Sequence, residues 1–241
     1  MGTKIIENKN GTKMIAHRGL SGLETENTCA AFVAAGNRSY YGIECDLHET
    51  ADGKIVVVHD YETGRVADVN LPIEETKFDI LRAVVLNDRF SQKKRFDLRI
   101  PTLEEYIKIC EHYDKKAIIE LKGKLTKNSV YKICDYLKAE GHLDRVVFIS
   151  FDMNLLLYMR EKLPEQPAQF LTSGELTDGL IQKLKDLKLD LDIYYVRLNK
   201  ERIDACHAAG IKVNCWTLDR PEVAEEFISY GIDFITTNIL E

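Results

Sequence analysis

The sequence predicts an α/β fold, specifically a (β/α)8 TIM barrel with an extra β-hairpin strand and a short insertion after it. Three observations indicate this architecture: a length of 241 residues, short apolar runs that alternate with amphipathic stretches, and an Asp-Gly turn between two of the runs. Single α/β barrels commonly have this length, and repeated β–α alternation favours a parallel sheet covered by helices. No low-complexity linker divides the chain, so residues 1–241 are expected to form one domain.

Nine apolar runs are predicted to be strands. In chain order they are Met14–His17, Ile43–Leu47, Ile55–His59, Ala117–Leu121, Val146–Ser150, Gln169–Thr172, Ile193–Val196, Val213–Thr217 and Phe234–Thr237. The third is the extra strand, because Asp52-Gly53 is a preferred two-residue hairpin turn and a tight hairpin joins antiparallel strands only. Eight parallel strands then remain, and residues 61–100 form an insertion that is expected to act as a partial lid.

Helix signals separate the later strands. Thr102 and Glu105 have the spacing of a capping box, which predicts a helix start. Residues 199–209 predict a second helix. A third is predicted to begin with Asp219 as its N-cap and Pro221 in its first turn.

Composition restricts the class of protein. The chain has a net charge of −6 and a sequence pI of about 5.6, which argues against a nucleic-acid-binding protein. No apolar run approaches the length of a membrane span, so stable membrane insertion is not expected. The first 13 residues are polar, and the six cysteines are scattered as expected for reduced thiols. These features predict a cytoplasmic protein and leave its oligomeric state open.

Three patches at predicted strand ends contain residues that packing alone would not select. They are His17-Arg18-Gly19, Glu44-Cys45-Asp46 and Glu120-Leu121-Lys122. Residues two apart in a strand point to the same face. In an α/β barrel, charged residues at the C-terminal ends of strands indicate an active site.

The predicted hairpin brings a further residue to these patches. If Asp52 and Gly53 are the two turn residues, Asp46 lies directly opposite His59, with Cβ atoms about 4.5–5.5 Å apart. A shift of one residue would remove this pairing.

Together these side chains suit a phosphodiester. The three carboxylates offer oxygen ligands, which Mg²⁺ and Ca²⁺ prefer. Arg18 and Lys122 are able to bind phosphate, and His17 and His59 supply an acid and a base near neutral pH. The charges of the carboxylates, one divalent cation, the two basic residues and a phosphodiester cancel.

Some of these features also have purely structural explanations. Glu120 and Lys122 are able to form a simple ion pair. Trp216, the only tryptophan, is either core or a wall that faces the substrate. The remaining histidines are expected to be structural: His48, His112, His142 and His207.

The motifs, in this order, resemble the glycerophosphodiester phosphodiesterase family over nearly the whole chain. The family pattern stands here as His17-Arg18-Gly19, Thr25-Glu26-Asn27-Thr28, Glu44-Cys45-Asp46, Thr50-Ala51-Asp52-Gly53, His59-Asp60, Ile100-Pro101-Thr102-Leu103-Glu104-Glu105, Glu120-Leu121-Lys122, Ser150-Phe151 and Trp216-Thr217. The sequence departs from it at Thr25, where the family usually has Pro, and at Thr236-Thr237-Asn238, where it often has Thr-Asp.

The resemblance implies a barrel of the phosphatidylinositol-specific phospholipase C type. It implies hydrolysis of glycerophosphodiesters, as small-molecule substrates, to glycerol 3-phosphate and an alcohol. The implied roles are metal ligands for one Mg²⁺ or Ca²⁺ (Glu44, Asp46, Glu120), an acid/base pair (His17, His59), and phosphate or substrate contacts (Arg18, Lys122, Trp216).

Two alternatives remain open. One is a lipid phosphodiesterase of the lysophospholipase D or sphingomyelinase D kind. It would need an exposed apolar rim, and none is evident in the predicted loops. The other is a catalytically silent protein that binds phosphodiesters.

Overall fold

The computed structural model describes residues 2–241, and its strands close into a parallel barrel. The strand order is β1-β9-β8-β7-β6-β5-β4-β2-β3, and a further pairing of β1 with β2 closes the ring. The strands are β1 (Lys13–Ala16), β2 (Gly42–Glu49), β3 (Ile55–Val57), β4 (Lys116–Leu121), β5 (Val146–Ser150), β6 (Ala168–Thr172), β7 (Asp190–Tyr194), β8 (Val213–Trp216) and β9 (Phe234–Thr237). The predicted fold is confirmed, with β3 as the extra antiparallel strand outside the barrel.

The helices, apart from the one in the 61–100 segment, cover the outside of the barrel. They are α1 (Cys29–Gly36), α2 (Phe78–Ala83), α3 (Leu103–His112), α4 (Lys127–Ala139), α5 (Met153–Lys162), α6 (Asp178–Asp186), α7 (Lys200–Ala208) and α8 (Pro221–Ser229). The main core lies between helices and strands, where burial of apolar surface stabilises the fold. A smaller apolar layer fills the barrel interior: Ile15, Ile118, Ile149, Leu171 and Phe234. Within residues 2–241, no helix combines the length and apolarity that crossing a membrane requires.

Two predicted element boundaries are wrong. The α8 helix begins with Arg220 at the N-cap and Pro221 at the first position. Asp219 instead accepts hydrogen bonds from Thr237 and Asn238. Strand β7 covers residues 190–194 rather than 193–196. It ends early because residues 195–197 form a 3₁₀ turn, and its start was missed because Asp190 and Asp192 interrupt the apolar pattern of the strand.

The capping box is confirmed. The Thr102 side chain accepts from the Glu105 N–H, and the Glu105 carboxylate accepts from the Thr102 N–H at 2.9 Å.

The hairpin turn contains three residues, not two. The Thr50 N–H donates to the Lys54 carbonyl at 2.9 Å, and Gly53 has a φ of 82°, where glycine is favoured. A three-residue loop that ends in a left-handed residue shifts the register by one. Leu47 therefore pairs with Val57, and the predicted pairing of Asp46 with His59 is wrong.

The 61–100 segment is an ordered insertion with its own small core. It contains α2 and two 3₁₀ turns, at residues 63–65 and 73–75. Its buried apolar residues pack on Val56 and Val58, beside β3. Within residues 2–241, five of the nine exposed large hydrophobic side chains lie in this segment: Tyr61, Val69, Ile80, Phe90 and Phe96.

Candidate active site

A cavity of about 200 Å³ opens at the C-terminal ends of the barrel strands. All but one of the predicted site residues line it: His17, Arg18, Glu44, His59, Glu120, Lys122 and Trp216. Asp46 lies directly beside them, bound to Arg18 and Lys122. The structure thus brings the whole predicted set together.

The three carboxylates form one buried cluster. Asp46 on β2 is the register partner of Glu120 on β4, and Glu44 lies two residues before Asp46 on the same face. One oxygen from each carboxylate lies within 4.8 Å of the other two. Lys122 Nζ bridges Asp46 Oδ1 at 3.3 Å and Glu120 Oε1 at 3.1 Å. An all-oxygen cluster of this size fits a divalent cation.

The cluster holds its negative charge unevenly. Burial, and then the charge of Asp46, raise the pKa of Glu44 well above its usual range and that of Glu120 to about 8. Burial also opposes the ionisation of Asp46, but Lys122 and Arg18 outweigh it and lower its pKa. Without a metal, Asp46 is therefore the most readily ionised of the three carboxyl groups.

Binding of Mg²⁺ at neutral pH should therefore release protons. A glutamate with a raised pKa must lose its proton before it binds a cation, so the affinity for Mg²⁺ should rise as the pH rises toward 8. Calorimetry in two buffers with different heats of ionisation would count the protons. Glu120→Gln should release about one proton fewer. Binding without proton exchange would contradict the assignment.

His17 is held by an amide at the end of β9. Its Nδ1 lies 2.8 Å from Asn238 Oδ1, which also accepts from Ser21 Oγ at 2.7 Å. Asn238 Nδ2 donates to Asp219 Oδ2 at 2.6 Å, so the amide oxygen faces the imidazole. An amide oxygen only accepts, so Nδ1 carries the hydrogen and Nε2 is left to accept a proton. Burial, and then Arg18, lower the pKa of His17 to about 4.

His59 is held by a carboxylate. Its Nδ1 lies 2.5 Å from Asp60 Oδ1, and Arg65 binds the other oxygen of Asp60. Although burial lowers the pKa of His59, this carboxylate favours the protonated ring. Strand β3 ends at Val57, so His59 lies beyond the strand pairing and lines the cavity. The backbone carbonyl of His59 lies 3.3 Å from His48 Nε2. His48, which is expected to be structural, thus contacts the backbone of a cavity residue.

Arg18 sits in a strained backbone conformation within a network of charges. Its φ is 55°, in a region that residues other than glycine rarely adopt. Its backbone N–H donates to Glu44 Oε2 at 2.7 Å, and its guanidinium donates to Glu26 Oε1 at 2.8 Å. Glu26 also accepts two hydrogen bonds from Arg65 of the 61–100 segment. Sequence reasoning gave no role to Arg65.

An apolar wall faces these charges. Trp216 packs edge-on against Phe151, with ring centroids 5.5 Å apart, and also contacts Tyr194. Phe151 is 46% exposed at the mouth of the cavity. The structure thus places Trp216 on the cavity wall, in contact with the apolar layer of the barrel interior.

This fold and site define the chain as a TIM-barrel enzyme with a pocket built for an anionic ester. A family model described as the glycerophosphoryl diester phosphodiesterase family matches residues 17–241. The chain belongs to that family.

Individual relatives match over nearly the full length. A glycerophosphodiester phosphodiesterase of Caldanaerobacter subterraneus is 29% identical over 94% of this chain and 94% of its own length. Among solved structures, an Oleispira antarctica phosphodiesterase in complex with the product sn-glycerol-3-phosphate has a TM-score of 0.88. It is 26% identical and covers 94% of this chain and 92% of that one. A glycerophosphodiester phosphodiesterase of Parabacteroides distasonis has a TM-score of 0.79 at 30% identity, covering 96% and 94%.

Proposed function

We propose that the protein is a metal-dependent glycerophosphodiester phosphodiesterase that uses His17 and His59 as its base and acid. One observation carries the proposal: the Nδ1 atoms of the two histidines have chemically different partners at the same cavity. His17 Nδ1 contacts an amide oxygen, whereas His59 Nδ1 contacts a carboxylate. The comparisons support the substrate class, since relatives of similar length bear this activity in their names and one binds sn-glycerol-3-phosphate.

Glu44, Asp46 and Glu120 would hold one divalent cation, Mg²⁺ or Ca²⁺. When bound, such a cation stabilises the negative charge that develops on phosphate oxygens. Arg18 and Lys122 donate hydrogen bonds to the same phosphate, and Trp216 contacts the carbon chain of the substrate.

The two histidines move the protons. In the first step, His17 Nε2 accepts the proton of a glycerol hydroxyl, whose oxygen attacks phosphorus. The bond from phosphorus to the alcohol breaks, and His59 donates its proton to that alcohol oxygen. A cyclic phosphate results. In the second step, His59 accepts a proton from water, and the water oxygen attacks phosphorus. The ring bond from phosphorus to the glycerol oxygen that attacked first breaks, and His17 returns its proton to that oxygen.

The pH dependence of kcat/KM should be bell-shaped. His17 must be neutral to accept a proton, so the rate rises as the pH rises through its low pKa. His59 must be protonated to donate, so the rate falls as the pH rises through its own pKa. Profiles measured for wild type and His59→Ala would check this, because the variant should lose the descending limb alone. A wild-type rate independent of pH would contradict the pair.

The decisive experiment is the release of glycerol 3-phosphate from glycerophosphocholine and glycerophosphoethanolamine. It is run with Mg²⁺, Ca²⁺ or EDTA and compares wild type with His17→Ala. Release that needs a metal and disappears in the variant supports the proposal. Tight binding of the diester without release would instead indicate a catalytically silent binding protein.

A second candidate function is hydrolysis of lysophospholipids. The exposed Phe90 and Phe96 favour it, since they are 55% and 76% exposed in the segment that supplies Arg65 to the site network. Faster hydrolysis of lysophosphatidylcholine than of glycerophosphocholine would select this function.

The same contacts of Arg65 support a covering role for the 61–100 segment. The six free thiols, five of them buried, support a cytoplasmic location.

A further inference from the structure

A buried carboxyl group inside the cavity lacks a hydrogen-bond partner on one of its oxygens. Asp192, on β7, lines the cavity and is 1% exposed. Its Oδ1 has no partner among residues 2–241. The adjacent Asn214 on β8, its register partner, also donates to Gln169 Oε1 and Thr236 Oγ1, both at 3.1 Å.

An unpaired buried oxygen needs an explanation, because folded proteins rarely retain one. A second unpaired group lies beside it. Trp216 Nε1 is also buried without a partner, and Trp216 lines the same cavity. Because Tyr194 is the register partner of Trp216, Asp192 and Trp216 are diagonal neighbours on adjacent strands. Two residues of the cavity wall therefore each carry a buried polar atom without a partner among residues 2–241, one an acceptor and one a donor.

We propose that Asp192 binds a hydroxyl group of the substrate's glycerol moiety; this rests on the proposed function. A hydroxyl is both donor and acceptor, so a single group is able to donate to Asp192 Oδ1 and accept from Trp216 Nε1. The phosphate belongs at the opposite end, where Arg18 and Lys122 lie. The carbon chain between them packs on Ile149 and Leu171, which line the same cavity.

A hydroxyl suits Asp192 better than a cation such as an ammonium group. Burial, and then the charge of Glu120, raise the pKa of Asp192 well above its usual range. Burial thus disfavours the ionised form of this carboxyl group. A neutral carboxyl attracts a cation weakly, whereas it exchanges hydrogen bonds with a hydroxyl in both directions.

Ligand binding tests the proposal without turnover. Wild type, Asp192→Asn and Asp192→Ala are titrated calorimetrically with glycerol 3-phosphate and with n-propyl phosphate in saturating Mg²⁺. The two ligands share the phosphate and the three-carbon chain, and only the first has hydroxyl groups. Wild type should prefer glycerol 3-phosphate by about tenfold or more. Asp192→Ala should lose this preference, and Asp192→Asn should keep part of it.

Thermal unfolding separates a binding role from a structural one. Because Asp192 Oδ1 is unpaired, the isosteric Asp192→Asn change should leave Tm unchanged or higher. A lower Tm in this variant would overturn the proposal, as would an unchanged preference in Asp192→Ala. Tighter binding of ethanolamine phosphate than of glycerol 3-phosphate would overturn it in favour of a cation site.

The hydrolysis of glycerophosphocholine by wild type is measured in parallel. Turnover without any preference for hydroxyl groups would refute the role of Asp192 and leave the proposed function intact. A preference for hydroxyl groups without turnover would refute the proposed function alone.

Discussion

Replacing His17 with alanine should lower kcat for glycerophosphocholine by about two to four orders of magnitude. The imidazole is the only group held with a free accepting nitrogen at the end of β1, and the Asn238 amide fixes it in that form. The value of KM should change little, since the proposed phosphate contacts, Arg18 and Lys122, are unaltered. Steady-state kinetics of wild type and variant would measure both constants.

The matched control is His112→Ala, because His112 is an exposed histidine at the end of α3 and should be without effect. A His59→Ala variant tests the division of roles. It should recover much of its rate when 4-nitrophenol replaces choline as the leaving alcohol, because that alcohol leaves without a proton. His17→Ala should not recover. The reverse pattern would exchange the two roles.

Replacing Asp46 with asparagine should abolish metal-dependent activity and destabilise the fold. Asp46 is 1% exposed and pairs with Arg18 and Lys122. Removal of one partner from a buried ion pair typically costs about 3–5 kcal/mol. The loss here should be smaller, because Lys122 keeps Glu120 and Arg18 keeps Glu26 as partners. Urea unfolding would measure the change in free energy. Mg²⁺ should raise the Tm of wild type and not that of the variant.

Asp135→Asn is the control, because Asp135 forms an exposed ion pair with Lys162. That pair should contribute no more than about 1 kcal/mol. An Asp46→Asn variant whose Tm still rises with Mg²⁺ would remove Asp46 from the ligand set.

The strands and the chemistry at their ends could be predicted from the sequence, because both are local. Glu44 and Asp46 share a face through strand periodicity, and the barrel brings every C-terminal strand end to one rim. His59 was placed at the site through a register that is wrong. It is there because the chain leaves β3 after Val57 and His48 contacts its carbonyl.

The groups that position the site residues could not be predicted, because they come from distant segments. Arg65 reaches Glu26 across 39 positions, and Asn238 reaches His17 across 221. The sequence departs from the family pattern at Asn238, but only the structure shows that this residue contacts His17. Asp192 was missed because the predicted strand, residues 193–196, begins one residue after it, whereas β7 covers residues 190–194.

Lys122 bridges two of the three carboxylates that would hold a cation, and Arg18 pairs with one of them. The same two basic groups are those proposed to bind the phosphate. A cation on the carboxylates would neutralise them and release both basic side chains toward the ester. Metal and diester should therefore bind cooperatively, and by thermodynamic linkage each would raise the affinity of the other by the same factor.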